Sequence, residues 1–233
     1  FILGGLPALL ALFVRMHVKE SEVWEETRQK DWGHLGRTIL SHWKLFLYIM
    51  VLMTFMNFSS HGTQDMYPTF LQRFRGLGPS TRSGISMIAS CGAIIGGVLT
   101  GYFSDKKGRR RAIVTALLCA VLVIPIWSLS ANLALITIGA FLMQFAVQGA
   151  WGVIPAHLSE LSPDSVRGFL PGFAYQCGVL LSGSIVLIQA YFAERMSYGT
   201  TMAMTAGVVF IGGAIVAGLG KENRASVFGI KKA

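Results

Sequence analysis

Residues 45–69 read LFLYIMVLMTFM followed by Asn57-Phe-Ser-Ser60-His61-Gly-Thr63-Gln64-Asp65-Met-Tyr-Pro68-Thr69. The first part, Leu45 to Met56, carries no charge and reads as a membrane-span candidate. Ionisable groups inside such a run are costly, and therefore stand as functional candidates. Asn57, His61 and Asp65 fall at i, i+4 and i+8, which predicts one helix face. That spacing suits a lined pathway better than contact with lipid.

The rest of the chain has the same character. It is 53% hydrophobic and only 13% charged, against roughly 25% charged in a soluble domain. Most charges are confined to residues 15–44, 104–111, 157–167 and 219–233. The predicted fold class is an all-α integral membrane protein, with the lipid bilayer as its first partner. A formal charge of +9 would suit nucleic acid, but the basic residues lie in short loops between apolar runs, so nucleic acid is not read as a partner. Cys91, Cys119 and Cys177 all fall within apolar runs and read as small buried residues. No dinucleotide or phosphate loop, H-E-x-x-H or paired-Cys motif occurs, so the reading includes no catalysis, no cofactor and no metal.

Six spans are predicted at about 45–72, 84–104, 112–130, 132–156, 168–193 and 199–219, each near the roughly 20 residues that cross hydrocarbon as a helix. Residues 1–17 read as the end of a preceding span whose start is missing, so the sequence reads as a fragment. Residues 18–44 form a charged connection whose VWEETRQK stretch suggests a helix lying on the membrane surface. The bundle then occupies 45–219 and a tail 220–233. Sixteen Lys and Arg fall on the side of the long connection and the tail, against four on the other. The positive-inside rule puts that richer side, and the C-terminus, in the cytoplasm, with the protein multi-pass in the cell (inner or plasma) membrane.

Small residues recur at helix-packing spacing: Gly92 with Gly96, Gly97 with Gly101, and Gly168, Gly172 and Gly178. Gln144 and Gln148 are i, i+4 on the fourth span, and Gln176 lies within the fifth. Buried amides serve either as interhelical glue or as cavity lining. Trp151 and Tyr175 read as packing or interface residues. His17, His34, His42 and His157 read as solvated.

Three loop motifs point to a family. Gly101-x-x-x-Asp105-x-x-Gly108-Arg109-Arg110 resembles the loop between helices 8 and 9 of the major facilitator superfamily. Glu160-x-x-Pro163-x-x-x-Arg167-Gly168 resembles the loop between helices 10 and 11 of its sugar-porter-like members. Glu20-Ser21 with Trp24 resembles the close of helix 6. In that order they make the chain the end of helix 6 and helices 7–12, the C-terminal six-helix bundle of a twelve-helix fold. The stripe at 57–69 fits N-x-x-[ST]-H-x-[ST]-Q-D-x-x-x-T, and so resembles helix 7 of the lactate/pyruvate:proton symporters, grouped with the sialate:proton symporters. Pro171-Gly-Phe-Ala-Tyr175-Gln176-x-Gly178 looks like helix 11 of the same group.

The resemblance implies a secondary transporter, not an enzyme, moving a small monocarboxylate with a proton as coupling ion. It requires the missing N-terminal six-helix half as a partner. His61 and Asp65 are then the proton-handling pair, since histidine changes charge near neutral pH. Asn57, Ser60, Gln64, Thr69, Gln144, Gln148 and Gln176 are the substrate-path candidates, although capping and packing explain Ser60, Gln64 and Thr69 comparably well. Gly101, Asp105, Gly108, Arg109, Arg110, Glu160 and Arg167 are the cytoplasmic-gate candidates. Pro68 predicts a kink or break in the first span. The six spans offer no cationic anchor for a carboxylate, which must come from the missing half or from protonated His61. A sialate carrier and a membrane receptor that no longer transports are the alternatives.

Overall fold

The computed structural model describes residues 10–11, 13–16, 32–164 and 166–223. The expectations for most of residues 1–31, for the surface helix at VWEETRQK, for the His34 side chain and for residues 224–233 lie outside the described residues. Among the described residues every regular element is a helix. A short α1 (Trp32–Ser41) leads into α2 (Trp43–Gln64), α3 (Tyr67–Arg73), α4 (Pro79–Lys107) and α5 (Arg109–Ile124). A π-helical turn, Pro125–Leu129, precedes α6 (Leu133–Leu161), α7 (Leu170–Ser182), α8 (Ser184–Ala193) and α9 (Tyr198–Leu219). Six segments are long and apolar enough to cross a bilayer: Trp43–Arg73, Pro79–Lys107, Arg109–Leu129, Leu133–Leu161, Leu170–Ala193 and Tyr198–Leu219.

All six predicted spans are present, with ends that local chemistry moves. The first breaks after Gln64. A proline at 68 has no amide proton and would drive its ring into the carbonyl four residues earlier, which is that of Gln64. Pro68 instead sits in the first turn of α3, where a missing donor costs nothing. The second span starts five residues before its predicted position, with Pro79 opening α4, so Arg82 is helical rather than in a loop. The predicted loop at 101–111 shrinks to one residue. Gly108 has φ +102° and turns the chain directly from α4 into α5. The fourth span continues through Pro155 to Leu161, because Val153, Ile154, Leu158 and Leu161 keep a buried face beyond the lost hydrogen bond.

The second and fourth spans cross most intimately. A side chain at Gly92 or Gly96 would run into the backbone carbonyls of Phe141 and Phe145, and one at Gly152 into Gly97. The third span packs on the fourth and sixth, and the first on the fifth and sixth. In the fifth span only Gly178 is at a close crossing; Gly168 and Gly172 have nothing within 4 Å of an added Cβ, contrary to the packing role read from their spacing. Apolar side chains such as Leu122, Leu180, Leu187 and Val208 are exposed on the outside, as lipid contact requires. Cys91 and Cys119 are exposed there too, rather than buried as predicted. Away from the charged ends of the spans, Tyr67 stacks on Trp127 at 5.3 Å and Phe74 on Tyr198 at 4.8 Å. These rings close the bundle around the break in the first span.

Candidate functional site

The polar stripe of the first span winds rather than running straight. With 3.6 residues per turn, each four-residue step rotates by about 40°. Asn57 therefore points into the bundle while His61 and Asp65 emerge at its open side. The Asn57 Nδ2 donates to the Met53 carbonyl oxygen at 2.8 Å, and a Cβ on Gly178 would lie 2.6 Å from it. In this structure Asn57 sits at the crossing with α7, not on an open path as read from the sequence. His61 Nδ1 and Asp65 Oδ2 are 3.0 Å apart, and the two side chains are 37% and 43% exposed. They form one contact on an accessible edge. Thr69 is half-buried one turn beyond the break.

A cleft of about 380 Å³ opens beside Thr63 and Gln64, and neither His61 nor Asp65 lines it. Its walls come from Gln64 on the first span, Ser86 and Ser90 on the second, and Gln144 and Gln148 on the fourth, with Trp127 also lining it. The Gln64 amide donates to Ser60 Oγ at 2.9 Å, and the Gln148 amide reaches the same oxygen at 3.5 Å. Ser60 thus links the first and fourth spans. Gln144 is only 9% exposed and makes no hydrogen bond to any described residue. Gln176 does not join this cleft. It is exposed on α7, next to Tyr175, whose ring meets Trp151 edge-on at 6.0 Å.

The charged ends of α4, α5 and α6 hold the second cluster. Arg109 Nη1 bonds Asp105 and Ser104 Oγ, the latter at 2.7 Å, while Nη2 donates to Glu160 Oε1 at 3.1 Å. Ser104 Oγ in turn donates to the Gly101 carbonyl at 2.6 Å. Gly101, Asp105, Gly108, Arg109 and Glu160 are therefore brought together, while the Arg110 side chain turns to the Gly220 carbonyl at 3.1 Å. Arg167 makes its ion pair locally, with Asp164 at 3.0 Å. It holds its own turn, with its Nε also directed to the Ser162 carbonyl at 3.4 Å.

Three residues escaped the sequence reading. Glu222 accepts the amide protons of Arg109 and Arg110. Gln189, buried in α8, donates to the Gly62 carbonyl at 3.0 Å and to Thr205 Oγ1 at 3.2 Å, tying the fifth span to the first and sixth. A single amide inside SIVLIQAYFA was the available signal. His157, read as solvated, is fully buried in α6, and neither ring nitrogen has a hydrogen-bond partner among the described residues. Extension of the helix past Pro155 carries it inside. His42, by contrast, is exposed just ahead of α2.

Among the described residues no group of three His, Cys, Asp or Glu is arranged to hold a metal ion.

The Major Facilitator Superfamily model matches residues 1–186 and 85–227. The chain belongs to the Major Facilitator Superfamily, a family of membrane transporters. It is 33% identical over 193 residues to the carboxylic acid transporter protein homolog of Saccharomyces cerevisiae, covering 76% of this chain and 31% of the relative. It is 26% identical over 209 residues to the sialic acid transporter NanX of Escherichia coli, covering 87% and 50%. A cis,cis-muconate transport protein of Acinetobacter baylyi is 25% identical over 240 residues, covering 96% and 57%. The chain spans about a third to somewhat over half of the length of these relatives.

Proposed function

We propose that the chain is the C-terminal six-helix bundle of a carrier that moves a small monocarboxylate, of the lactate or pyruvate type, together with a proton by alternating access. The observation that carries this reading is the half-open His61–Asp65 contact at 3.0 Å, on the same helix as Gln64, which lines an amide-bearing cleft. A histidine bonded to a carboxylate can take up and release a proton near neutral pH. Beside it, Gln64, Gln144 and Gln148 supply neutral donors and acceptors along the substrate path, with Ser60 joining two of them. Asn57 contributes by setting the crossing of α2 and α7, and Gln176, exposed on α7, and Thr69, half-buried on α3, complete the path. The relatives' names support an organic acid as cargo. The cluster of Asp105, Arg109 and Glu160 acts as the cytoplasmic gate, with Gly101, Gly108 and Arg110 shaping it and Arg167 steadying the adjacent turn. Positive charge on that side supports a cytoplasmic C-terminus in the cell membrane.

A sialate or other sugar acid is the second reading, favoured by the similarity to the E. coli sialic acid carrier along most of the chain. Uptake of labelled lactate by the full-length carrier in vesicles, under an inward proton gradient, tests both. Gradient-driven accumulation that pyruvate blocks supports the first reading. Competition by sialate alone moves the cargo to sugar acids. Saturable binding without flux would make the protein a receptor, and full accumulation by both His61→Ala and Asp65→Asn would remove the pair from coupling.

A further inference from the structure

Resting on that reading, we infer that the cleft takes its acid in the uncharged, protonated form, with the amide of Gln144 pairing the carboxyl group through two hydrogen bonds. Gln144 is the buried polar group in the cleft left without a protein partner, whereas the amides of Gln64 and Gln148 are both turned to Ser60. Its amide opens onto the cleft, which supplies the room for a ligand to bond it. Its volume of about 380 Å³ exceeds the roughly 30 Å³ share of one water by an order of magnitude. A short-chain acid fits, with its body against Trp127 and its hydroxyl or keto group toward Ser86 and Ser90.

The donor pattern decides between the two forms of the acid. A primary amide presents one acceptor and N–H donors in one plane. A protonated carboxyl presents the complement, an O–H and a carbonyl oxygen, and closes a two-bond ring with it. A carboxylate is acceptor-only, so it would take the N–H and set its second oxygen against the Gln144 oxygen. No described residue lining the cleft carries a formal charge, whether from the first, second, third or fourth span. The one titratable group among them is Tyr67, whose hydroxyl donates to the Trp127 carbonyl at 3.4 Å. An anion there would lose hydration that no described residue of the cleft replaces with an opposite charge. The transported proton therefore crosses on the oxygen of the acid itself, and the His61–Asp65 pair, outside the cleft, exchanges it with the incoming carboxylate.

Lactamide, the uncharged amide of lactic acid, is the probe, because its carboxamide closes the same ring. In the full-length carrier, lactamide is expected to inhibit labelled lactate uptake with a constant that stays flat between pH 6 and 8. Over that range the KM for total lactate should rise about tenfold per pH unit, since the protonated fraction of an ordinary carboxyl falls that fast. Gln144→Met, which keeps the volume, should lose both lactamide inhibition and lactate affinity by about tenfold or more. Should that variant fail to fold, the wild-type arm still decides. Lactate uptake that ignores a hundredfold excess of lactamide overturns the neutral-acid site while leaving the carrier reading intact. Absence of any carboxylate uptake overturns both.

Discussion

Glu222 closes the amino end of α5: its Oε1 accepts the amide proton of Arg109 at 2.9 Å, and its Oε2 that of Arg110 at 3.0 Å. The contact joins the residues just past α9 to the start of the third span. It also answers an electrostatic problem, because Arg109, Arg110 and Arg111 place three cations at the positive end of a helix dipole. A carboxylate there satisfies two otherwise unpaired donors and offsets that charge. Replacing it with Ala should cost about 1 kcal/mol, and with Gln about half as much, since one acceptor remains. Thermal unfolding of the purified carrier would read the order; equal stability of all three forms would remove the capping role.

The gate cluster predicts unequal partners for Arg109. Arg109 and Glu160 expose 15% and 13% of their side chains, but Asp105 exposes 62%. Losing the nearly buried partner should cost more than losing the exposed one, which costs at most about 1 kcal/mol, although Arg109 keeps Asp105 and Ser104 when Glu160 is replaced. Glu160→Gln should therefore lower the unfolding temperature well beyond Asp105→Asn. The reverse order would show that Asp105 is the main partner.

Glycines of similar spacing should behave differently. Gly96→Ala drives a methyl group into the Phe145 carbonyl, and overpacking of this kind costs about 1–3 kcal/mol or more. Gly172→Ala meets nothing within 4 Å and should be neutral or slightly stabilising, because alanine favours helix. Expression and melting temperature of the two variants in the same detergent provide the comparison. Equal losses would contradict the α4–α6 contact.

His157 offers a test of opposite sign. A fully buried imidazole with neither nitrogen bonded carries an unmet desolvation cost of about 1–3 kcal/mol. His157→Leu should melt at the same temperature as the parent or higher. A drop of more than a few degrees would mean that the ring has a bonding partner in the native membrane.

Much of this was legible beforehand because hydrophobic length is a local property. Each span from Trp43 to Leu219 contains an apolar stretch long enough to cross a bilayer, and a backbone in hydrocarbon has to bond to itself as a helix. Asp105 and Arg109 were legible as neighbours, since one motif carries both, but that Glu160 on another span pairs with Arg109 was not. The direction of individual side chains was not. Asn57 and His61 sit one helical repeat apart, yet one is buried against Gly178 and the other is open.

The amino-acid sequence by itself determined that the chain is helical and carries six apolar spans, because charge, proline and apolar length act within a few residues of themselves; its loop motifs carried the family resemblance. Only the tertiary structure decided that Glu222 caps α5, that His157 and Gln189 are internal, that Gly178 rather than Gly172 is a crossing, and that Gln144 faces a cleft without a partner. Each of those depends on residues tens or hundreds of positions apart meeting across helices, and the rotation of a helix about its own axis is set by its neighbours' packing rather than by its own spacing.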